Sequence, residues 1–201
     1  MKKKLKITLA CVVIVILSVL YSFIDKATSV YDTDWDTSEY NSIQMYAGDS
    51  ISQSFICDEE HLDGVSVKIT AIGDQANVFT EYQLIEKKTG NVVAEGTTSL
   101  EELESGKFFK IMFFEQVEHC EDQEFEFMMS VLEKSGENGM TIYTTSSNNK
   151  NSFLELNGAE TEDALVCRTL THRFDFETFF VTICFVLYIV FFMKWMYKLF
   201  K

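Results

Sequence analysis

Proline is absent from this 201-residue chain, and histidine occurs only three times. Without proline, any edge strand of a sheet has to be protected from unwanted pairing by charged side chains. His61, His119 and His172 are widely separated, which does not favour a zinc site, because such a site needs three or four converging ligands. The serine, cysteine and lysine residues form no recognisable nucleophile elbow or triad order. These absences point away from zinc chemistry and from nucleophilic catalysis.

Carboxylates are abundant, but their spacing fits neither a hydrolase nor a calcium loop. Residues 118–126 are rich in acids, and two facing carboxylates can hydrolyse a glycosidic bond. In a strand, however, Glu124 and Glu126 share one face, which we interpret as solvated. Residues 32–36 begin like a calcium loop, but Thr37 and Ile43 stand where glycine and glutamate are required. We therefore expect no catalytic residue and a non-enzymatic protein, with a glycan hydrolase as the least favoured function.

Two long apolar runs stand at the ends of the chain. Residues 7–24 carry no charge, and residues 178–193 continue to 197 if Lys194 extends its ammonium group to the membrane surface. A bilayer core about 30 Å thick needs about 20 helical residues, so the runs predict two transmembrane helices. Neither run contains glycine or an ionisable residue other than Lys194, so we expect no GxxxG packing seam and no proton relay. A cleavable signal peptide is the alternative for the first run, but residues 22–27 form a poor cleavage site and we expect an uncleaved anchor.

Charge is distributed unevenly along the sequence. Residues 1–6 and 194–201 contain seven lysines and no acid, whereas residues 25–177 hold the other ten Lys and Arg and all 31 acids, a balance of −21. Because cytoplasmic flanks are enriched in Lys and Arg, we expect a two-pass protein of the cell membrane with both termini in the cytoplasm. The acidic middle should repel nucleic acid. The predicted segments are cytoplasmic tails at 1–6 and 198–201, transmembrane helices at 7–24 and 178–197, linkers at 25–48 and 173–177, and an extracellular domain at 49–172.

The middle segment has the alternating pattern of short β-strands separated by turn residues. Val65, Val67, Ile69 and Ala71 share one predicted face, and Gly90 marks a hairpin turn. Residues 100–104 alone suggest a helical turn. The pattern predicts a membrane-anchored, mainly β protein with an antiparallel β-sandwich, jelly-roll-like, between its two helices. The predicted strands are 50–57, 64–72, 79–86, 91–98, 107–114, 124–132, 140–144, 153–156 and 164–170.

Several short motifs in this segment resemble a known type of bacterial domain. They are Gln53-Ser54-Phe55, Leu62 to Val67 (LDGVSV), Thr89 to Ala94 (TGNVVA), Asn138 to Ile142 (NGMTI) and Leu165 to Arg168 (LVCR). They are similar to extracytoplasmic jelly-roll domains of bacterial membrane proteins linked to cell-surface polysaccharide synthesis. The resemblance covers about residues 49–172. It implies a jelly-roll fold and a glycan-related setting, and it brings no catalytic motif with it.

Candidate binding residues follow from the predicted fold. Glycan binding needs exposed aromatic rings, and Trp35, Tyr82 and Tyr143 are the weak candidates for it. We expect no cofactor. Jelly-roll domains often hold structural calcium through loop carboxylates, for which the candidates are Asp49, Asp63, Asp74 and Asp163.

Five cysteines are present, three of them in the predicted outer domain. Cys11 and Cys184 lie in the apolar runs and are interpreted as small apolar residues. A disulfide between Cys57 and Cys167 is a hypothesis that requires the first and last strands to pair. Three reduced thiols fit the sequence equally well.

Two functions remain as hypotheses. The first is a non-enzymatic accessory or glycan-binding component of a cell-surface polysaccharide synthesis or export system, working with a membrane protein partner. The second is an extracellular ligand-binding receptor or sensor domain that signals through such a partner.

Overall fold

The computed structural model describes residues 2–34, 36–146 and 153–200. The chain forms two compact units. One contains the residues up to Lys26 and those from His172 onward, and the other is Ala27–Thr171. The first unit holds helices α1 (Lys2–Tyr21) and α2 (Phe176–Leu199), which contact each other. The second unit is built of antiparallel strands.

One helix of the described residues, α2, is long and apolar enough to cross a membrane. Its 24 residues have a mean hydropathy of 2.2 in the best window, and none of that window is buried. In α1 the uncharged part is residues 7–21, which is shorter than α2. This helix ends at Tyr21, and Phe23, which we predicted to be transmembrane, begins a strand instead. The expected arrangement of two membrane-spanning helices is therefore not confirmed, and the two-pass topology with cytoplasmic termini is not supported.

The β-unit contains two sheets. Their strands are β1 (Phe23–Ser29), β2 (Asn41–Met45), β3 (Ser50–Ile56), β4 (His61–Ile72), β5 (Phe79–Glu86), β6 (Asn91–Ser99), β7 (Phe108–Glu118), β8 (Glu124–Val131), β9 (Gly139–Ser146), β10 (Leu154–Leu156), β11 (Ala159–Thr161), β12 (Asp163–Leu165) and β13 (Cys167–Phe174). The first sheet has the order β1-β13-β4-β9-β12, with β2 paired to β9 and β7 paired to β4. The second has the order β11-β10-β3-β8-β5-β6. The mainly β, sandwich-like prediction is confirmed.

Alternating side chains from both sheets form the core. In β4, Val65, Val67 and Ile69 are each at most 1% exposed, as their spacing predicts, whereas Lys68 and Thr70 are only partly buried. The second sheet contributes its own buried apolar residues, among them Ile51, Phe55, Leu84, Phe127 and Met129. Burying such side chains stabilises a fold by about 1.5–3 kcal/mol each before conformational entropy is subtracted.

The predicted hairpin is also present. Strands β5 and β6 pair from Phe79 opposite Ser99 to Glu86 opposite Asn91, and Gly90 has a φ of 70°. A positive φ favours glycine, because a Cβ would be crowded in that conformation.

Three segments differ from their predicted structure. Residues 25–48, interpreted as a linker, include most of β1, a 3-10 turn at Thr37–Glu39 and β2. The predicted strand 164–170 is divided into β12 and β13, which lie on opposite sides of β4 and β9. Residues 100–104 form a turn closed by Leu103 N–H donating to the Leu100 carbonyl, because so short a segment gains too few hydrogen bonds to continue as a helix.

Candidate functional site

Three neighbouring strands place positive charge and an aromatic ring on the outer face of the first sheet. In β4, Lys68 lies directly opposite Phe108 of β7. The next outward position, Ser66, lies opposite Lys110 on one side and Arg168 of β13 on the other. Since successive residues of a strand face opposite sides, these positions share the face that points away from the core.

Two cations lie close to the ring of Phe108. The guanidinium carbon of Arg168 lies 4.0 Å from the centroid of the Phe108 ring, and Lys68 Nζ lies 5.6 Å from it. Both are within the range of a cation–π interaction. The Lys68 ammonium also donates to the Gly106 carbonyl. Among the described residues, Arg168 Nε is buried and has no hydrogen-bond partner.

A groove of about 410 Å³ opens beside Phe108. We call it the Phe108 groove. Its volume lies in the range of about 300–1,000 Å³ that is typical of small-molecule sites. Carboxylates, ammonium groups and aromatic rings alternate along its wall, where Glu104 and Lys107 form an ion pair. The lining residues are Glu102, Glu104, Lys107, Phe108, Phe109 and Lys110.

Tyrosines extend the aromatic surface next to Phe108. Tyr31 is 7% exposed and packs against Tyr40 edge-on, with 6.2 Å between the ring centroids. Burial, together with a hydrogen bond to Tyr31, raises the pKa of Tyr40 to about 12. The Tyr143 hydroxyl lies 3.3 Å from that of Thr70. Phe108, Tyr40 and Tyr143 all pack on the small buried cluster that includes Tyr31, so this face has an aromatic floor.

The predicted aromatic ligands do not share one site in the structure. Tyr143 is half-buried and belongs to the cluster beside Phe108. Tyr82 is only 7% exposed and lies in the core, where its ring stacks on Phe113 at 6.0 Å. It therefore presents no open ring to a ligand. Trp35 lies outside the described residues.

The four predicted calcium ligands are spread over the β-unit: Asp49 and Asp74 lie in turns, Asp63 lies in β4 and Asp163 begins β12. Each carboxylate already accepts hydrogen bonds. Asp49 accepts from Tyr46 N–H and from Asn157, and Asp63 accepts from Gln116. Asp74 accepts from Ala76 N–H and Asn77, and Asp163 from Asn41 and Thr144. In the described part of the chain, no group of three or more His, Cys, Asp or Glu residues could hold a metal ion.

The three outer-domain cysteines are free and buried. The hypothesis of a Cys57–Cys167 disulfide required the first and last strands to pair, but β3 and β13 belong to different sheets. Cys167 lies in the core opposite Val67, and burial raises its pKa to about 12. The thiol that hydrogen-bonds to Cys57 is that of Cys120.

Sequence reasoning missed Phe108, Lys68 and Arg168 as a group. The alternation of residues 107–114 does place Phe108 and Lys110 on one face, but it does not show which strand lies beside them. The pairing of β4 with both β7 and β13 brings the three together, and this pairing joins residues 100 positions apart in the sequence.

The fold and site define an antiparallel β-sandwich-like domain followed by an apolar C-terminal helix. No family model matches the chain, and no curated protein sequence matches it significantly. A structure of the clostridial cysteine protease Cwp84 after propeptide cleavage is similar over 74% of this chain and 40% of that chain, at 11% identity and a TM-score of 0.40. The cysteine protease and lectin-like domains of Cwp84, a surface layer associated protein of Clostridium difficile, match over 68% and 36%, at 12% identity and a TM-score of 0.36. The VP2 subviral particle of infectious bursal disease virus matches over 73% and 40%, at 9% identity and a TM-score of 0.27.

These matches correct one expectation. Two of them are chains of a cysteine protease, so the prediction of a non-enzymatic protein is contradicted and is withdrawn. The present chain spans about two fifths of the length of these proteins. At these identities and TM-scores, the matches transfer no catalytic residue to this sequence.

Proposed function

We propose that this protein is a membrane-anchored β-sandwich that binds a carbohydrate in the Phe108 groove, as a component of a cell-surface polysaccharide synthesis or export system. The observation that carries the proposal is the groove itself, in which an aromatic ring is surrounded by both hydrogen-bond acceptors and donors.

The chemistry of the groove suits a sugar. The partly exposed ring of Phe108 offers an apolar surface to the C–H groups of a pyranose. The carboxylates of Glu102 and Glu104 accept hydrogen bonds from hydroxyl groups, and the ammonium groups of Lys107 and Lys110 donate them. The guanidinium of Arg168 adds positive charge next to the same ring. Because cations and acids are both present, a neutral or weakly acidic saccharide fits better than a polyanion.

The sequence of α2 supports the proposed anchor and its orientation. This helix begins after Asp175 and includes Glu177 in its first turn, whereas Lys198 lies in its last turn. The positive-inside rule favours a cytoplasmic position for the lysine end, and we propose that residues 27–171 lie outside the cell. The sequence resemblance to extracytoplasmic jelly-roll domains supports the same location and the link to surface polysaccharide.

The proposal is tested by measuring binding of the full-length protein, in mild detergent, to an array of bacterial surface glycans. Phe108→Leu keeps an apolar side chain but removes the ring, and we expect about a tenfold loss of affinity, equivalent to about 1.4 kcal/mol. Phe114→Leu is the matched control, since Phe114 lies on the same strand, is 95% exposed and does not line the groove.

Equal affinities for the Phe108 and Phe114 variants would refute the groove as the site. If the native protein binds no glycan but does bind a small soluble ligand through Phe108, the second function is favoured. In that case the protein is a ligand-binding receptor or sensor domain that signals through a membrane partner.

A further inference from the structure

Two turns of the β-unit are joined through their main chains around a pair of cysteines. Cys57 follows β3 directly, and Cys120 lies in the turn between β7 and β8. Cys57 N–H donates to the Gln123 carbonyl at 3.0 Å, and Asp122 N–H donates to the Cys57 carbonyl at 2.9 Å. Cys120 N–H donates to the Glu60 carbonyl at 2.8 Å. These bonds fix the two cysteine backbones against each other.

The thiols themselves meet in the interior. Cys57 and Cys120 are 1% and 0% exposed, and their side chains hydrogen-bond to each other. Cys57 Sγ also accepts from Glu59 N–H at 3.4 Å, and the Cys120 thiol lies 3.1 Å from the Val117 carbonyl. Each sulfur atom is therefore held by a nearby backbone group, and the main-chain bonds between the two turns bring the two cysteines together.

The pair is chemically asymmetric. The hydrogen bond from Cys120 and the backbone N–H of Glu59 lower the pKa of Cys57, although burial opposes this. The same hydrogen bond, together with burial, raises the pKa of Cys120. Because the thiolate is the nucleophile in disulfide exchange, Cys57 is the sulfur that attacks first.

The turn that carries Cys120 has an unusual backbone. His119 and Asp122 both have a φ of 59°, a left-handed conformation that residues with a Cβ adopt at a cost. His119, Glu121 and Asp122 are exposed. A cross-link from Cys120 to Cys57 would hold this turn closed, whereas opening of the turn gives a reagent access to the thiols.

We propose that Cys57 and Cys120 are a dithiol pair that closes to a disulfide between the end of β3 and the β7–β8 turn. The oxidant is a small-molecule disulfide. The Cys57 thiolate attacks one of its sulfur atoms, forming a mixed disulfide and releasing one thiolate. Cys120 then loses its proton, attacks the Cys57 sulfur and releases the second thiolate. One external disulfide is thereby reduced to two thiols, and the two cysteines are oxidised. This chemistry is independent of glycan binding.

The test uses the full-length protein in detergent with oxidised glutathione as the oxidant. After incubation, free thiols are blocked with an alkylating reagent, and the proteolytic peptides are identified by mass without reduction. We expect a cross-linked peptide pair that joins Cys57 to Cys120, lighter by two hydrogens than the sum of its parts, while Cys167 is alkylated after unfolding.

Variants separate this pair from other pairings. Cys57→Ala and Cys120→Ala should each abolish the cross-link. Cys167→Ala, which removes an equally buried thiol in β13, should leave it unchanged. The proposal is overturned if Cys57 and Cys120 are both recovered as alkylated thiols from the oxidised native protein, or if Cys57 is recovered linked to Cys167. Mapping of the native protein needs no variant to fold, so either result is decisive.

Discussion

Gln53 joins the two sheets, and its removal should destabilise the β-unit. This side chain is 0% exposed in β3 of the second sheet. Its Oε1 accepts from Leu165 N–H of β12, in the first sheet, at 2.7 Å. Its Nε2 donates to the carbonyls of Ser54 at 2.9 Å and Phe153 at 3.3 Å. One buried amide therefore satisfies backbone groups on both sides of the core.

The size of the effect follows from those bonds. Gln53→Leu keeps a similar volume but leaves Leu165 N–H without an acceptor, which costs about 1–3 kcal/mol. Loss of the two donated bonds adds about 1 kcal/mol, and the greater hydrophobicity of leucine offsets a similar amount. We expect a net loss of about 1–3 kcal/mol, which lowers the Tm of a unit of this size by about 2–12 °C.

Thermal unfolding of the full chain in detergent, followed by β-sheet circular dichroism, measures this loss. Gln83→Leu is the control, because Gln83 lies in β5 of the same sheet but is partly exposed. Its effect should stay within about 0.5 kcal/mol. Equal shifts for the two variants would refute the bridging role of Gln53.

Two further perturbations test the backbone and a cap. A Cβ on Gly64 would lie 2.4 Å from the Ile111 carbonyl oxygen, so Gly64→Ala should cost about 1–3 kcal/mol by urea unfolding. Gly90→Asn is the control and should change stability little, because a side chain at this position meets open space and asparagine tolerates a positive φ. Similar losses of stability in the Gly64 and Gly90 variants would contradict the clash at Gly64. The Ser38 backbone N–H and hydroxyl hold the pKa of Asp36 below its usual 3.8. Because the pKa of Asp36 is lowered in the folded state, its carboxylate stabilises the fold above pH 3.8, and this contribution is lost as the pH falls through the folded value. Carboxyl NMR should give a midpoint below 3.8 that rises in Ser38→Ala, and an unchanged midpoint would exclude the contribution of the Ser38 hydroxyl.

The strands that could be predicted were those with a simple local pattern. The alternation of Val65, Val67 and Ile69 gave the buried face of β4, and Gly90 gave the β5–β6 hairpin, because both signals lie within a few residues. Strand β1 was not predicted. Its first two residues belong to the apolar run that predicted a helix, and its remaining residues (DKATS) are mostly polar. A helix that ends at Tyr21 and a strand that begins at Phe23 cannot be separated by hydropathy alone.

The candidate sites were harder to predict, because both depend on which strands are neighbours. Tyr143 was named from its residue type, whereas Phe108 and Arg168 meet only because β4 pairs on both sides. The contact between Cys57 and Cys120 also depends on which strands are neighbours, but the register of β3 and β8 is enough to predict it. In the β3–β8 ladder, Phe55 lies opposite Phe125 and Ile56 opposite Glu124.

Continuing the β3–β8 register by one step brings Cys57 to Gln123, at the end of the turn that carries Cys120. The two phenylalanines are both buried, so matching the apolar faces of the two strands is enough to choose this register over its one-residue slips, which would expose them. The Cys57–Cys120 pairing could therefore be predicted from the sequence if β3 and β8 were known to be adjacent. The hypothesis of a Cys57–Cys167 disulfide assumed that the first and last predicted strands were neighbours, but β3 and β13 lie in different sheets. Which strands are neighbours is decided by the topology of the whole sandwich, and no local sequence pattern shows it.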